Sequence, residues 1–269
     1  MMLPSFISAS LEKAHPGWRP CLTEGISRMM EVDSAYFAGL ERVPFLPTRD
    51  RIFAAFSLPP DQVRFILVGE SPYPREESAT GYSFMDGAVR AIWSEGGFSK
   101  EVNRATSLRN FFKMLLVAEK TLSADDTGAK AIAQLRRRNP GSAFPYITHL
   151  DELQRNLHDR GFLLLNAALV FRRDVSPLKE AGAWLPFLQV VLESLLKHGT
   201  VSQEPLPVLV LWGNAAKKLE RVEAAAGFPQ VTSEHPYNLS FIKNTGMQEL
   251  FGPANLLRAA KTGRSRQSH

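Results

Sequence analysis

Cysteine is nearly missing from this chain: Cys21 is the single one in 269 residues. No intramolecular disulfide can form, and neither a Cys-rich zinc site nor an iron–sulfur cluster has its ligands. Long hydrophobic runs are missing too, since no stretch approaches the roughly 18 to 20 apolar residues of a membrane-spanning helix. The first ten residues, Met1 to Ser10, have no positive leading segment and are interrupted by Pro4. These absences predict a soluble chain in a reducing, cytoplasmic setting, with no metal, no cofactor and no membrane partner. A strong excess of one charge is also lacking. The formal net charge is +5, from 32 Lys and Arg against 27 Asp and Glu. Four of those bases, Arg258, Lys261, Arg264 and Arg266, lie in an acid-free tail, and without them 28 basic residues face 27 acidic ones. Any surface for an anionic polymer is therefore expected as a local patch plus a basic tail, not a uniformly cationic face. No internal repeat is evident. Neither a GxxxxGK[ST] phosphate loop nor a PCxxC element occurs, which removes P-loop and zinc-deaminase chemistry.

What is present is a 44% hydrophobic chain, enough for one core near the upper size of an undivided domain. Strand-length runs rich in branched residues lie at Val63 to Val68, Phe162 to Leu165 and Val208 to Trp212, with a weaker one at Gln230 to Thr232. Between them, helical spacing marks Ser107 to Lys120, Glu152 to Arg160, Pro186 to Lys197 and Asn214 to Ala225. Strands alternating with helices predict an α/β three-layer sandwich, a central four-stranded parallel sheet flanked by helices. We expect one domain over residues 1–258, a basic, disordered tail over 259–269 and a monomer. The polar stretch Ser123 to Pro145 carries Arg136-Arg137-Arg138 before Asn139-Pro140-Gly141. It reads as a solvated helix end closed by a turn, or else as a phosphate-contacting patch.

In such a sheet, ligands bind beyond the carboxyl ends of the strands. Those ends are Gly69, Asn166, Gly213 and His235. Two of them open distinctive segments, Gly69-Glu70-Ser71-Pro72-Tyr73-Pro74 and His235-Pro236-Tyr237-Asn238-Leu239-Ser240. From Gly69 to Ser107 runs a long turn-rich stretch, read as a functional loop because it starts at a strand end. Residue by residue, the readings stay open. Phe84 reads as a core side chain, Asn166 as a polar strand terminus and Tyr73 as a ring over the sheet end. Ser107 and Ser240 suit caps or turns, Leu239 is either a core residue or an exposed tip, and Glu70 suits a turn carboxylate. An amide at Asn166 can accept from one ring nitrogen and donate to an adjacent carbonyl, the pattern on the edge of uracil.

The order and spacing of these segments carry a resemblance. Together with Trp18, Tyr36-Phe37, Ile52 to Phe56, Gly81-Tyr82-Ser83-Phe84, Ser107 to Asn110, Leu163 to Asn166, Leu211 to Ala216 and Phe251 to Asn255, they resemble the family-1 uracil-DNA glycosylases over nearly the whole chain. The resemblance implies a monofunctional enzyme that flips uracil, or a related damaged base, out of single- or double-stranded DNA and hydrolyses its glycosidic bond. It implies that Phe84 stacks on the flipped base, that Asn166 separates uracil from cytosine and that Tyr73 excludes a thymine methyl. His235 then stabilises the base carbonyl that gains charge, Leu239 fills the gap left in the helix, and Pro72, Ser107 and Ser240 contact the strand.

Departures stand beside these matches. Where family 1 has GQDPYH, this chain has GESPYP: Ser71, left as a pocket residue, replaces the Asp that serves the cationic sugar and the attacking water. Glu70 resembles the carboxylate of the family-4 motif GEAPG, and can take over that role. Pro74 and Tyr237 replace a histidine and a serine. A competing expectation follows, a DNA-binding homologue of weak or no catalysis.

Overall fold

The computed structural model describes residues 4–138, 144–215 and 219–259. Its strands are β1 (Phe65–Gly69), β2 (Trp93–Ser94), β3 (Gly97–Phe98), β4 (Phe162–Asn166), β5 (Val208–Trp212) and β6 (Gln230–Ser233). Four of them form an all-parallel sheet in the order β4-β1-β5-β6. The expected three-layer α/β architecture is what the chain adopts. The strands β1, β4 and β5 are apolar at every interior position because both faces are covered, whereas the edge strand β6 is polar and partly exposed. Ile66, Val68, Leu163, Leu165, Leu209 and Leu211 point into one core. Leu67, Phe162, Leu164, Val210 and Trp212 point into the other.

The helices are α1 (Ser5–Leu11), α2 (Arg19–Val32), α3 (Tyr36–Leu40), α4 (Lys100–Arg104), α5 (Thr106–Ala118), α6 (Ala129–Arg138), α7 (Leu150–Asp159), α8 (Pro177–Ser202) and α9 (Thr245–Phe251). The first core is closed by α1, α2, α3 and α8, the second by α5, α6, α7 and α9. Burying each large apolar side chain contributes roughly 1.5 to 3 kcal/mol, so both helical layers hold the sheet. At the α2–α8 contact Gly25 is needed, because a Cβ there would sit 2.7 Å from a Phe187 ring carbon.

Several boundaries differ from the sequence reading. The helix expected from Pro186 starts nine residues earlier, at Pro177, with the Ser176 side chain accepting from the Lys179 N–H as its cap. Pro186 lies inside it. Packing of Trp184, Phe187 and Leu188 on both sides of the proline holds the helix through the missing backbone donor. Of the helix expected over Asn214 to Ala225, residues 216–218 lie outside the described ones. Val222 is extended, and Glu223–Gly227 is a 3-10 turn. The long loop after β1 contains the β2–β3 hairpin and α4, stabilised by Trp93 against Phe98 at 5.0 Å.

The basic segments also fall out differently. Arg136 is half-buried, its guanidinium 4.2 Å over the Phe144 ring, an attraction of cation and π face. Arg137 and Arg138 are exposed at the helix end, whereas Asn139-Pro140-Gly141 lies outside the described residues. Arg258 belongs to the body: it pairs with the buried Glu119 at 3.0 Å and covers the Tyr146 ring at 4.7 Å. Residues 260–269 of the expected tail lie outside the described residues. No helix among the described residues is long and apolar enough to cross a membrane.

Candidate active site

Strand β1 has β4 on one side and β5 on the other, so chain direction switches sides there and a crevice opens beyond the carboxyl ends. A cavity of about 240 Å³ fills it, walled by Glu70, Ser71, Tyr73, Phe84, Ser107, Asn166 and His235 among others. That volume is below the roughly 300 to 1,000 Å³ of drug-sized pockets, which suits a single small ring. Seven of the ten residues singled out from the sequence are thus brought together, from three strand ends, one loop and one helix start.

The floor is built by close approach. Gly69 pairs in register with Asn166, and a Cβ on Gly69 would stand 2.6 Å from the Asn166 Oδ1 and 2.9 Å from the Ser83 Cβ. Only glycine leaves the amide where it is. Asn166 is 2% exposed, yet no hydrogen bond among the described residues engages its side chain. Its amide faces the cavity, where a ligand can supply both partners. Ser83 donates from its Oγ to the Leu67 carbonyl at 3.2 Å and from its N–H to the Leu164 carbonyl at 3.0 Å, pinning the next residue across the sheet end. That residue, Phe84, has φ +66°, a conformation a non-glycine residue holds only when its surroundings impose it. Its ring meets Trp212 edge-on at 5.0 Å and Phe111 at 5.2 Å, while another part of it faces the cavity. The Tyr73 hydroxyl donates to the Phe84 carbonyl at 3.4 Å. Burial, then the charge of Asp86, pushes its pKa up, so it stays a neutral phenol.

The opposite wall is His235. Its Nδ1 accepts the Tyr237 N–H at 3.1 Å, which places the proton of the neutral ring on Nε2. Burial holds its pKa below the usual histidine value, and the Glu70 charge opposes that shift. Gly213 makes room for it: φ is +57°, and a Cβ there would lie 3.0 Å from the His235 Cβ. The loop that follows hangs on Asn110 of α5, fully buried, whose amide donates to the Pro236 carbonyl at 2.8 Å and the Tyr237 carbonyl at 3.2 Å. Glu70 is exposed at the mouth. Its backbone carbonyl accepts from the Ala168 N–H at 3.2 Å.

Three expected contacts lie outside the cavity wall. Pro72 is buried, so its ring offers a strand little to touch. Leu239 is 69% exposed, which removes the core reading. Ser240 is exposed, and its hydroxyl is the largest cause that lowers the Glu234 pKa. Ser107 lines the cavity but does not cap α5, whose cap position is Ala105. Ser83, Trp212, Ala215 and Asn110 carry weight the sequence reading did not assign. Each sits beside a residue already singled out or in the first turns of α5, so proximity to a strand end was the available signal.

A parallel sheet whose carboxyl edge gathers a buried amide, an imidazole, an aromatic face and a carboxylate around a one-ring cavity defines a nucleobase-recognising α/β protein. No family model matches the chain. Among solved structures it is similar to the wild-type UNG of Nitratifractor salsuginis, 40% identical, covering 95% of this chain and 96% of that one, with a TM-score of 0.83. Among curated proteins it is similar to the uracil-DNA glycosylase of Mycobacterium avium, 27% identical over 254 residues and 92% of each chain. Mimivirus uracil-DNA glycosylase, 18% identical over 88% of this chain and 76% of that one with a TM-score of 0.54, shares the fold. The chain belongs to the uracil-DNA glycosylase family.

Proposed function

We propose that this protein is a monofunctional DNA glycosylase. It receives a uracil, or a closely related base, swung out of a DNA strand, hydrolyses its bond to deoxyribose and leaves an abasic site. The convergence of Glu70, Phe84, Asn166 and His235 on one cavity carries this reading. Phe84 offers its ring to the face of the base, an interaction worth roughly 1 to 3 kcal/mol. Asn166 accepts from the ring N3–H and donates to the adjacent O4, a pairing cytosine cannot complete. Tyr73 stands where a 5-methyl group would have to pass.

As the N1–C1′ bond breaks, negative charge gathers on the leaving base at O2, and the His235 Nε2–H is placed to donate to it. The sugar becomes oxocarbenium-like. Glu70 faces that charge and takes a proton from the water that attacks C1′, giving abasic deoxyribose and a uracil anion that is then protonated from solvent. Within the family we place the chain nearest family 1 in its base pocket, with the carboxylate one residue earlier, at Glu70, and Ser71 left as a polar wall. Ser107 and Ser240 contact backbone phosphates, and Leu239 enters the gap the base leaves. One chain carries every group the reaction uses, so the reading requires neither a cofactor nor a second subunit.

The test is alkaline cleavage of labelled strands carrying uracil, other damaged bases or normal bases. Glu70→Gln is expected to lose about 10²- to 10⁴-fold in kcat, and Asn166→Ala to lose preference for uracil over cytosine. A folded wild-type protein that cuts none of the strands, or a Glu70→Gln variant as fast as wild type, defeats the proposal.

A further inference from the structure

Two of the large exposed apolar side chains stand two positions apart on the loop after β6: Tyr237 is 67% exposed and Leu239 is 69% exposed. The loop that carries them is firmly held. Asn110 donates to the Pro236 and Tyr237 carbonyls, the Tyr237 N–H is bonded to His235 at 3.1 Å, and the Asn238 N–H is bonded to the His235 carbonyl at 2.9 Å. A loop fixed on both sides of an aromatic ring, with that ring left in water, presents it to a partner. The chain continues directly from His235 in the cavity wall, so a strand whose base occupies the cavity passes over these tips. Bases offer flat apolar faces, and extruding one uncovers the face of its neighbour.

We propose that Tyr237 is a stacking platform for the base next to the extruded nucleotide, a second base contact beside Leu239. This rests on the glycosylase reading above. Leu239 suits the hole inside a duplex, where bulk alone is needed. Tyr237 suits a strand whose bases have free faces, because stacking on an aromatic ring tolerates any sequence. Its contribution is therefore larger on single-stranded than on duplex DNA. The main-chain bond to His235 survives any substitution that keeps the N–H, so changing the side chain leaves the imidazole in place.

The experiment uses the full chain and strands holding a non-hydrolysable 2′-fluorinated deoxyuridine with 2-aminopurine on its 5′ or its 3′ side. Tyr237→Ser should bind the single strand roughly tenfold more weakly than wild type, the loss of one stacked base, and Tyr237→Phe about as well as wild type. The 2-aminopurine on the covered side should stay dim with wild type and Tyr237→Phe, and brighten with Tyr237→Ser. Equal binding and equal fluorescence across the three proteins overturns the proposal. So does equal loss in Tyr237→Phe and Tyr237→Ser, which would assign the contact to the hydroxyl and a phosphate. These strands are bound without being cut. A wild type that stacks here yet releases no uracil from an ordinary strand would therefore defeat the glycosylase reading alone.

Discussion

The floor of the cavity and its rim are built on different terms. The floor, with Gly69, Ser83, Phe84 and Asn166, lies on the sheet end and is backed by the second core, through Trp212 and Phe111. Its side chains have almost no freedom, and one of them, Phe84, is held at positive φ. The rim, with Glu70 and the loop from Pro236 to Ser240, stands mostly in solvent, the loop held through its backbone by the Asn110 amide, the His235 imidazole and main-chain bonds. All four departures from the family-1 pattern, Glu70, Ser71, Pro74 and Tyr237, fall on this rim or in the turn leading to it. Exchange of side chains on exposed loops leaves the fold intact, whereas a change in the packed floor displaces every neighbour. Base selection is thus expected to be rigid here, and chemistry and strand contact to be the parts open to change.

The strongest way to break this contrast is Gly69→Ala. Its methyl group must displace the Asn166 amide, which it would otherwise approach to 2.6 Å, and a misplacement of about 1 Å in a reacting geometry can cost about 100-fold. Uracil release should fall by about that factor, with overpacking costing about 1 to 3 kcal/mol in urea melts. Near-wild-type release would mean that the floor yields and that the contrast fails.

A smaller effect is expected from Asn110→Ala. It leaves the Pro236 and Tyr237 carbonyls without their buried donor, a loss of about 1 to 3 kcal/mol. Because the loop carries His235 and both exposed tips, kcat/KM should drop about tenfold, while far-UV circular dichroism stays as in wild type. If the drop matches that of Gly69→Ala, the rim is as rigid as the floor.

Much of this was legible in the chain. The apolar runs of β1, β4 and β5 announce a sheet buried on both faces, and their ends mark where ligands bind, so Gly69, Asn166 and His235 could be placed before any coordinates. Hydrophobic periodicity could not find the helix interior around Pro186, where packing against α2 outweighs local propensity. Nor could it find the β2–β3 hairpin, whose strands of two residues hold through Trp93 and Phe98. Arg258 was misplaced because composition sees its charge and not its partner: Glu119 lies 139 positions earlier in the chain. The role of Asn110 was hidden for the same reason, since its partners are the carbonyls of a loop 126 and 127 residues away.

The finest test sets the His235 wall and the rim against each other through a single proton. Burial holds the pKa of His235 below the ordinary value of 6.5, while the charge of Glu70 pushes it the other way. The ring is therefore neutral at pH 7, with Nδ1 free to accept from Tyr237 and the Nε2 proton facing the cavity. As pH falls through that lowered pKa the ring gains a proton on Nδ1, the Tyr237 bond is lost and the loop loosens. Activity is expected to decline on this acid side and to stay level above it, so far as His235 controls it. In Glu70→Gln the opposing charge is gone and burial acts alone. The His235 midpoint, followed by NMR of the imidazole C–H signals, should then move further down from its wild-type position. An unchanged midpoint, or a rise, would mean that Glu70 does not face the imidazole across the cavity, and that the carboxylate at the rim cannot stand in for the one missing at Ser71.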